Sequence, residues 1–142
     1  MLFLKALILF IVSPLFSSLP TQTAPVTWTF NYQEKGDKIT VTATAKIAKN
    51  WSVYSQFTED NGPIPTSFYI GDVKVVFKEK SKPVKQIDPL FEVEVIKFKN
   101  EAVFTYEIEK KLLSAREGRV EYMCCDDEKC LPPTDVAFKI SW

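Results

Sequence analysis

Val26-Thr27-Trp28-Thr29-Phe30-Asn31-Tyr32, followed beyond Lys35-Gly36-Asp37 by Ile39-Thr40-Val41-Thr42-Ala43-Thr44-Ala45-Lys46-Ile47, is the stretch that decides the fold class. Apolar residues fall on every second position of both runs. That is the period of a strand with one buried face, and the Gly-Asp pair between the runs supplies turn chemistry. Residues 51–57 form a short aromatic segment, and residues 58–65 (TEDNGPIP) a polar Pro/Gly loop. Residues 66–70 and 73–77 read as further strands around Gly71-Asp72, and the Lys-rich residues 78–85 as a lead into Asp88-Pro89. Phe91, Val93 and Val95 alternate, as do Ala102, Phe104, Tyr106 and Ile108, with Lys99-Asn100 as the turn between them. Residues 119–123 and 135–142 read as the last strands, and only residues 110–116 (KKLLSAR) as a helix, of at most two turns. Roughly seven to nine short strands separated by regular turn signals predict an all-β, immunoglobulin-like β-sandwich. Most aromatic side chains then fill the space between sheets, and loops at the sandwich ends are where a site would sit on a rigid frame.

The 142 residues, 46% of them hydrophobic, suit one globular domain. Eighteen Lys+Arg balance 18 Asp+Glu, so no electrostatic footprint for nucleic acid exists and that partner is not expected. The chain has no His, which removes Ser-His-Asp hydrolysis, Cys-His proteolysis and imidazole-based zinc sites. Its 4 glycines are scattered and cannot build a phosphate-cradling loop. The remaining reactive inventory is 3 cysteines.

Residues 1–5 are a short start carrying Lys5, and residues 6–16 (ALILFIVSPLF) a mainly apolar run followed by small and polar residues. This pattern reads as a secretory signal peptide over residues 1–24, with the mature domain at 25–142. A membrane span needs about 20 apolar residues, and this run is shorter and broken by Pro14. No clean small-x-small cleavage site falls between Ser17 and Ala24. The expected location is periplasmic or otherwise exported, where disulfides persist.

Tyr122-Met123-Cys124-Cys125-Asp126-Asp127-Glu128-Lys129-Cys130-Leu131-Pro132-Pro133 holds all three cysteines. Three thiols without His or a fourth Cys make a poor tetrahedral metal site, so no metal is expected. A static disulfide across so short a loop contributes only about 2 kcal/mol on the chain-entropy estimate, and a staple does better across a long one. Thiol–disulfide exchange needs two sulfurs within reach of each other and one within reach of a partner, which a short surface loop provides. Cys125-x4-Cys130 and Cys124-x5-Cys130 both satisfy this. On a strand the adjacent cysteines point to opposite faces, so only one faces Cys130 easily, and spacing does not choose between them. Asp126, Asp127 and Glu128 disfavour a nearby thiolate, which suits exchange with an activated partner thiol.

At this segment the sequence resembles the amino-terminal, periplasmic, immunoglobulin-like domain of the DsbD transmembrane disulfide reductases. The residues that carry the resemblance are Tyr122-x-x-Cys125-Asp126 and Cys130-x-Pro132-Pro133 before a final strand. Trp51-Ser52-Val53-Tyr54-Ser55 and Gly62-Pro63-Ile64-Pro65-Thr66-Ser67-Phe68 look like that family's early strand and the loop after it, and Asp88-Pro89-Leu90-Phe91-Glu92 falls where the family carries a loop capping the cysteine pair. The resemblance implies a thiol–disulfide oxidoreductase domain of protein-disulfide reductase type, expected to work without a cofactor. Family members usually continue into a membrane domain and a thioredoxin-like domain, and this chain, which stops at Trp142, is expected to depart from them as a stand-alone domain. It would take electrons from a thioredoxin-like or membrane-embedded thiol donor and reduce disulfides of other exported proteins. It further implies Cys125 and Cys130 as the redox pair, with Cys130 the exchanging thiol and Cys125 the resolving one. Phe91 would then be the cap, with Tyr54 and Tyr122 as supporting residues. The competing expectation is a non-catalytic immunoglobulin-like binding module with a structural disulfide.

Overall fold

The computed structural model describes residues 23–142, so the expected signal segment lies outside the described residues apart from its last two positions. In chain order the strands are β1 (Val26–Lys35), β2 (Lys38–Ile47), β3 (Ser52–Tyr54), β4 (Ser67–Ile70), β5 (Val73–Val75) and β6 (Lys78–Glu79). They continue as β7 (Val84–Ile87), β8 (Glu94–Phe98), β9 (Glu101–Glu109), β10 (Glu117–Tyr122), β11 (Cys124–Cys125) and β12 (Thr134–Lys139). Three four-stranded antiparallel sheets result, in the orders β1-β2-β9-β6, β12-β10-β4-β5 and β11-β3-β8-β7.

The opening hairpin runs in unbroken register from Val26↔Ile47 to Lys35↔Lys38, and Gly36 adopts the left-handed φ of +62° that the tight turn demands. Period-two alternation puts Val26, Trp28, Ile39, Val41, Ala43, Ala45 and Ile47 on one buried face. Large and small side chains alternate across the strands of this sheet. Ala43 stands between Phe30 and Phe104, and Ala45 between Trp28 and Ala102, which leaves room for rings from the facing sheet. Phe68 fills that room, meeting Trp28 edge-on at 6.0 Å and stacking on Phe77 at 4.0 Å. Phe77 reaches the core although no strand carries it. The Gln56 amide stands in for a strand partner, donating to the Phe77 carbonyl (2.9 Å) and accepting from its N–H (3.0 Å).

The third sheet packs against the main core, and the chain enters it three times, at β3, β7 and β11. The chain leaves the second sheet at Tyr122 and enters the third at Cys124, and it leaves the third at Phe98 for the first at Glu101, turning through Asn100 at φ +67°. Its pairs Cys124↔Val53 and Val53↔Phe98 present one face to the main core. Its other face carries Cys125, Tyr54, Lys97 and Val95.

The β-sandwich is as the alternation predicts, but three local expectations need correction. Beyond the two-residue β11 in the cysteine segment, the twelve strands exceed the expected seven to nine because residues 78–85, read as a linker, contain β6 and the start of β7. Both are short and largely exposed edge strands, so neither has a buried face for apolar alternation to report. The helix expected at 110–116 is a single 3₁₀ turn, Lys110–Leu112. No side chain caps its start, and Leu113 is already extended. Phe91 and Val93 precede β8 instead of opening it.

Gly118, in β10, sits where a Cβ would run into the Phe138 ring and lie 2.7 Å from the Tyr69 carbonyl oxygen. Gly118→Ala is expected to cost about 1–3 kcal/mol through overpacking, read as a lower urea midpoint at unchanged m-value. An unchanged midpoint would contradict this close approach.

Candidate functional site

At β11 the strand alternation separates two chemically identical neighbours. Cys124 turns into the main core, 4% exposed, where burial raises its thiol pKa and it has no disulfide partner. Cys125 turns to the outer face and is joined to Cys130 by a disulfide, with Cα atoms 4.0 Å apart. The bonded cysteines also face each other as an antiparallel bridge, so the loop between them is a tight turn. Asp126 shapes that turn. Its Oδ1 accepts the N–H groups of Glu128 (2.8 Å) and Lys129 (2.7 Å), which hold its carboxyl below the usual aspartate range, and its own N–H donates to the Lys129 carbonyl. On the far side Leu131 N–H donates to the Cys124 carbonyl at 3.0 Å, returning the chain toward the core.

A small apolar cluster surrounds the disulfide on the outer face. Tyr54, Val95 and Cys125 are its buried members, and Phe91, Val93, Met123 and Cys130 pack against them. Cys125 is 2% exposed, whereas Cys130 is only partly buried. The exposed Pro132 and Pro133 follow it. Phe91 projects from a self-closed loop. Asp88 N–H donates to the Val93 carbonyl (2.8 Å), Glu92 N–H to the Asp88 carbonyl (2.9 Å), and Glu92 takes a φ of +57°. The loop at 58–65 approaches from outside, because a Cβ on Gly62 would stand 3.0 Å from both Phe91 Cβ and Val93 Cγ2.

The root of the Phe91 loop is polar and hidden. Asp88, 2% exposed, accepts from Leu90 N–H (2.9 Å) and Phe91 N–H (3.3 Å) through Oδ1, while Oδ2 accepts from the Tyr54 hydroxyl (3.0 Å). Lys97, 3% exposed, brings its ammonium to 3.6 Å from the same Oδ2. Burial alone would push the Asp88 carboxyl up, but the hydrogen bonds from Leu90, Tyr54 and Phe91 and the charge of Lys97 together carry it below its ordinary value. For Tyr54 burial and the neighbouring Asp88 charge act in one direction, so its hydroxyl stays protonated and donates.

The structure thus brings together four of the five residues singled out from sequence: Cys125, Cys130, Phe91 and Tyr54. Tyr122 belongs instead to the main core, with its ring 5.5 Å from that of Trp28. Sequence reasoning missed Lys97, Gly62 and the part played by the Asp88 side chain. Lys97 did leave a signal. It continues the every-second-residue series Phe91, Val93, Val95, and a lysine on an inward period needs a buried anion. Among the described residues no cluster of three or more Cys, Asp or Glu side chains is arranged to hold a metal ion.

Fold and site define an immunoglobulin-like β-sandwich with a short-loop disulfide set in a small apolar cluster that Phe91 packs against. No protein-family model and no curated protein matches the chain. Solved structures do. The N-terminal periplasmic domain of ScsB from Proteus mirabilis is similar at a TM-score of 0.62 and 12% identity, over 84% of this chain. This chain spans about half of that one, 47%. The N-terminal domain of Neisseria meningitidis DsbD, solved in its reduced form, is similar at a TM-score of 0.50 and 18% identity, over 81% of this chain and 85% of that one. The fold is therefore the one that the sequence resemblance implied, that of a DsbD amino-terminal domain.

Proposed function

We propose that the chain is an exported thiol–disulfide exchange domain whose working pair is Cys125 and Cys130. One observation carries the reading: within a single disulfide one sulfur belongs to a sealed residue and the other to a partly open one. In the reduced state the Cys130 thiolate attacks a partner disulfide, forming a mixed disulfide and releasing one partner thiolate. The Cys125 thiolate then attacks the Cys130 sulfur, releasing the second partner thiolate and closing Cys125–Cys130. Two electrons pass to the partner, and a thioredoxin-like or membrane-embedded dithiol restores the pair by the reverse exchange. The fold likeness to two domains of periplasmic and DsbD type supports this reading, as does the small stabilisation that so short a cross-link offers a large apolar core. Phe91 serves as a movable cover that limits indiscriminate oxidation of the dithiol. The alternative, a binding module stapled by a structural disulfide, requires none of this asymmetry.

Trapping in an exporting cell tests the roles. With Cys125→Ala the resolving thiol is absent, so Cys130 is expected to accumulate mixed disulfides with partner proteins, while Cys130→Ala accumulates few. Equal trapping by both, or trapping through Cys125 alone, reverses the assignment, and trapping by neither rejects the exchange reading. For the cover, Phe91→Ala is expected to raise the alkylation rate of the reduced cysteines roughly tenfold, equivalent to about 1.4 kcal/mol of lost closure. An unchanged rate rejects the covering role.

A further inference from the structure

The geometry points to Lys97 as the positioning residue of the disulfide's cover: its buried ammonium compensates Asp88, and Asp88 in turn holds the Phe91 loop closed. The chain of contacts is continuous. Lys97 lies across from Tyr54 in the β3–β8 pairing, on the same outer face of the third sheet as Cys125. From there it meets Asp88 Oδ2 at 3.6 Å, and the other oxygen of that carboxylate takes the Leu90 and Phe91 N–H groups. Asp88 makes no other ion pair among the described residues. The remaining titratable group that meets it directly is Tyr54, which in turn feels Cys124 of β11 and Asp127 of the following turn.

A lysine deep in an apolar sheet face is expensive unless it serves a specific arrangement, and hydrophobic replacement of a whole buried pair is often neutral. Breaking only one partner is different, because the surviving charge is left uncompensated. Without Lys97 the Asp88 carboxylate reaches compensation by leaving its site for water. It cannot leave without dragging the Leu90–Phe91 backbone off the disulfide. The penalty exists only while Asp88 is ionised, so it fades only as pH falls below the ordinary aspartate range. A lysine that merely filled space would show neither this pH dependence nor any link to the charge of residue 88.

The inference rests on the exchange reading for its purpose, but its test does not involve partner proteins. The probe is a water-soluble phosphine, which attacks a disulfide sulfur and, with one water, yields phosphine oxide and two thiols. Rates for each variant are taken as a ratio to the parent at each pH, which cancels the reagent's own titration. Lys97→Met is expected to accelerate reduction of Cys125–Cys130 roughly tenfold or more near pH 7, with the ratio falling toward one only as pH drops below the ordinary aspartate range and Asp88 takes a proton. Adding Asp88→Asn to it removes the stranded charge while keeping an Oδ1 acceptor, and is expected to return the rate to within about threefold of the parent at every pH. If Lys97→Met does not fold, Lys97→Gln carries the same expectations. A ratio near one throughout, an acceleration independent of pH, or no rescue by Asp88→Asn would each overturn the role. Failure of partner trapping would reject the exchange reading and leave this result standing.

Discussion

Successive side chains of a strand leave on opposite faces, and at Cys124–Cys125 that rule separates the main packed core from the face that bears the disulfide. The third sheet is one strand thick, with the sandwich core on one side and the disulfide on the other. Cys124 is thereby committed to packing beside Val53 and Phe98, and Cys125 to facing Cys130. A one-residue slip of β11 would exchange the two thiols and send the bonded one into the core. The register is held from both ends, by Tyr122 packed against Trp28 before it and by the hydrogen bond from Leu131 to Cys124 after it.

The loop that carries Phe91 beside the disulfide differs in kind from the core it adjoins. Ring against ring holds Trp28, Phe68, Phe77 and Phe104, contacts that degrade gradually and without direction. The Phe91 loop is held by a buried carboxylate that accepts three hydrogen bonds and faces one ammonium. Such a network is favourable when complete and costly when partly made.

Much of this was legible in the sequence because burial leaves a periodic trace. The alternation from Val26 to Ile47 and from Ala102 to Ile108 marks the strands of the first sheet, and the clustering of all cysteines between Cys124 and Cys130 marks the candidate site. β6 and β7 were illegible for the complementary reason: edge strands rich in Lys bury too little to impose a pattern. The choice between Cys124 and Cys125 could not come from spacing, since it depends on which face of β11 meets the core. Asp88 and Lys97 were hidden by type, because charged residues are ordinarily read as solvated. Only the inward period of β8 sets Lys97 apart.

Whether the disulfide is a working bond or a staple is a thermodynamic question, and the reduction potential of Cys125–Cys130 against a glutathione or dithiothreitol buffer answers it. A working pair is expected to equilibrate with such a buffer at a potential above about −300 mV, with Cys124 remaining a free thiol throughout. A potential below about −300 mV, in the range of structural disulfides, would contradict the exchange function.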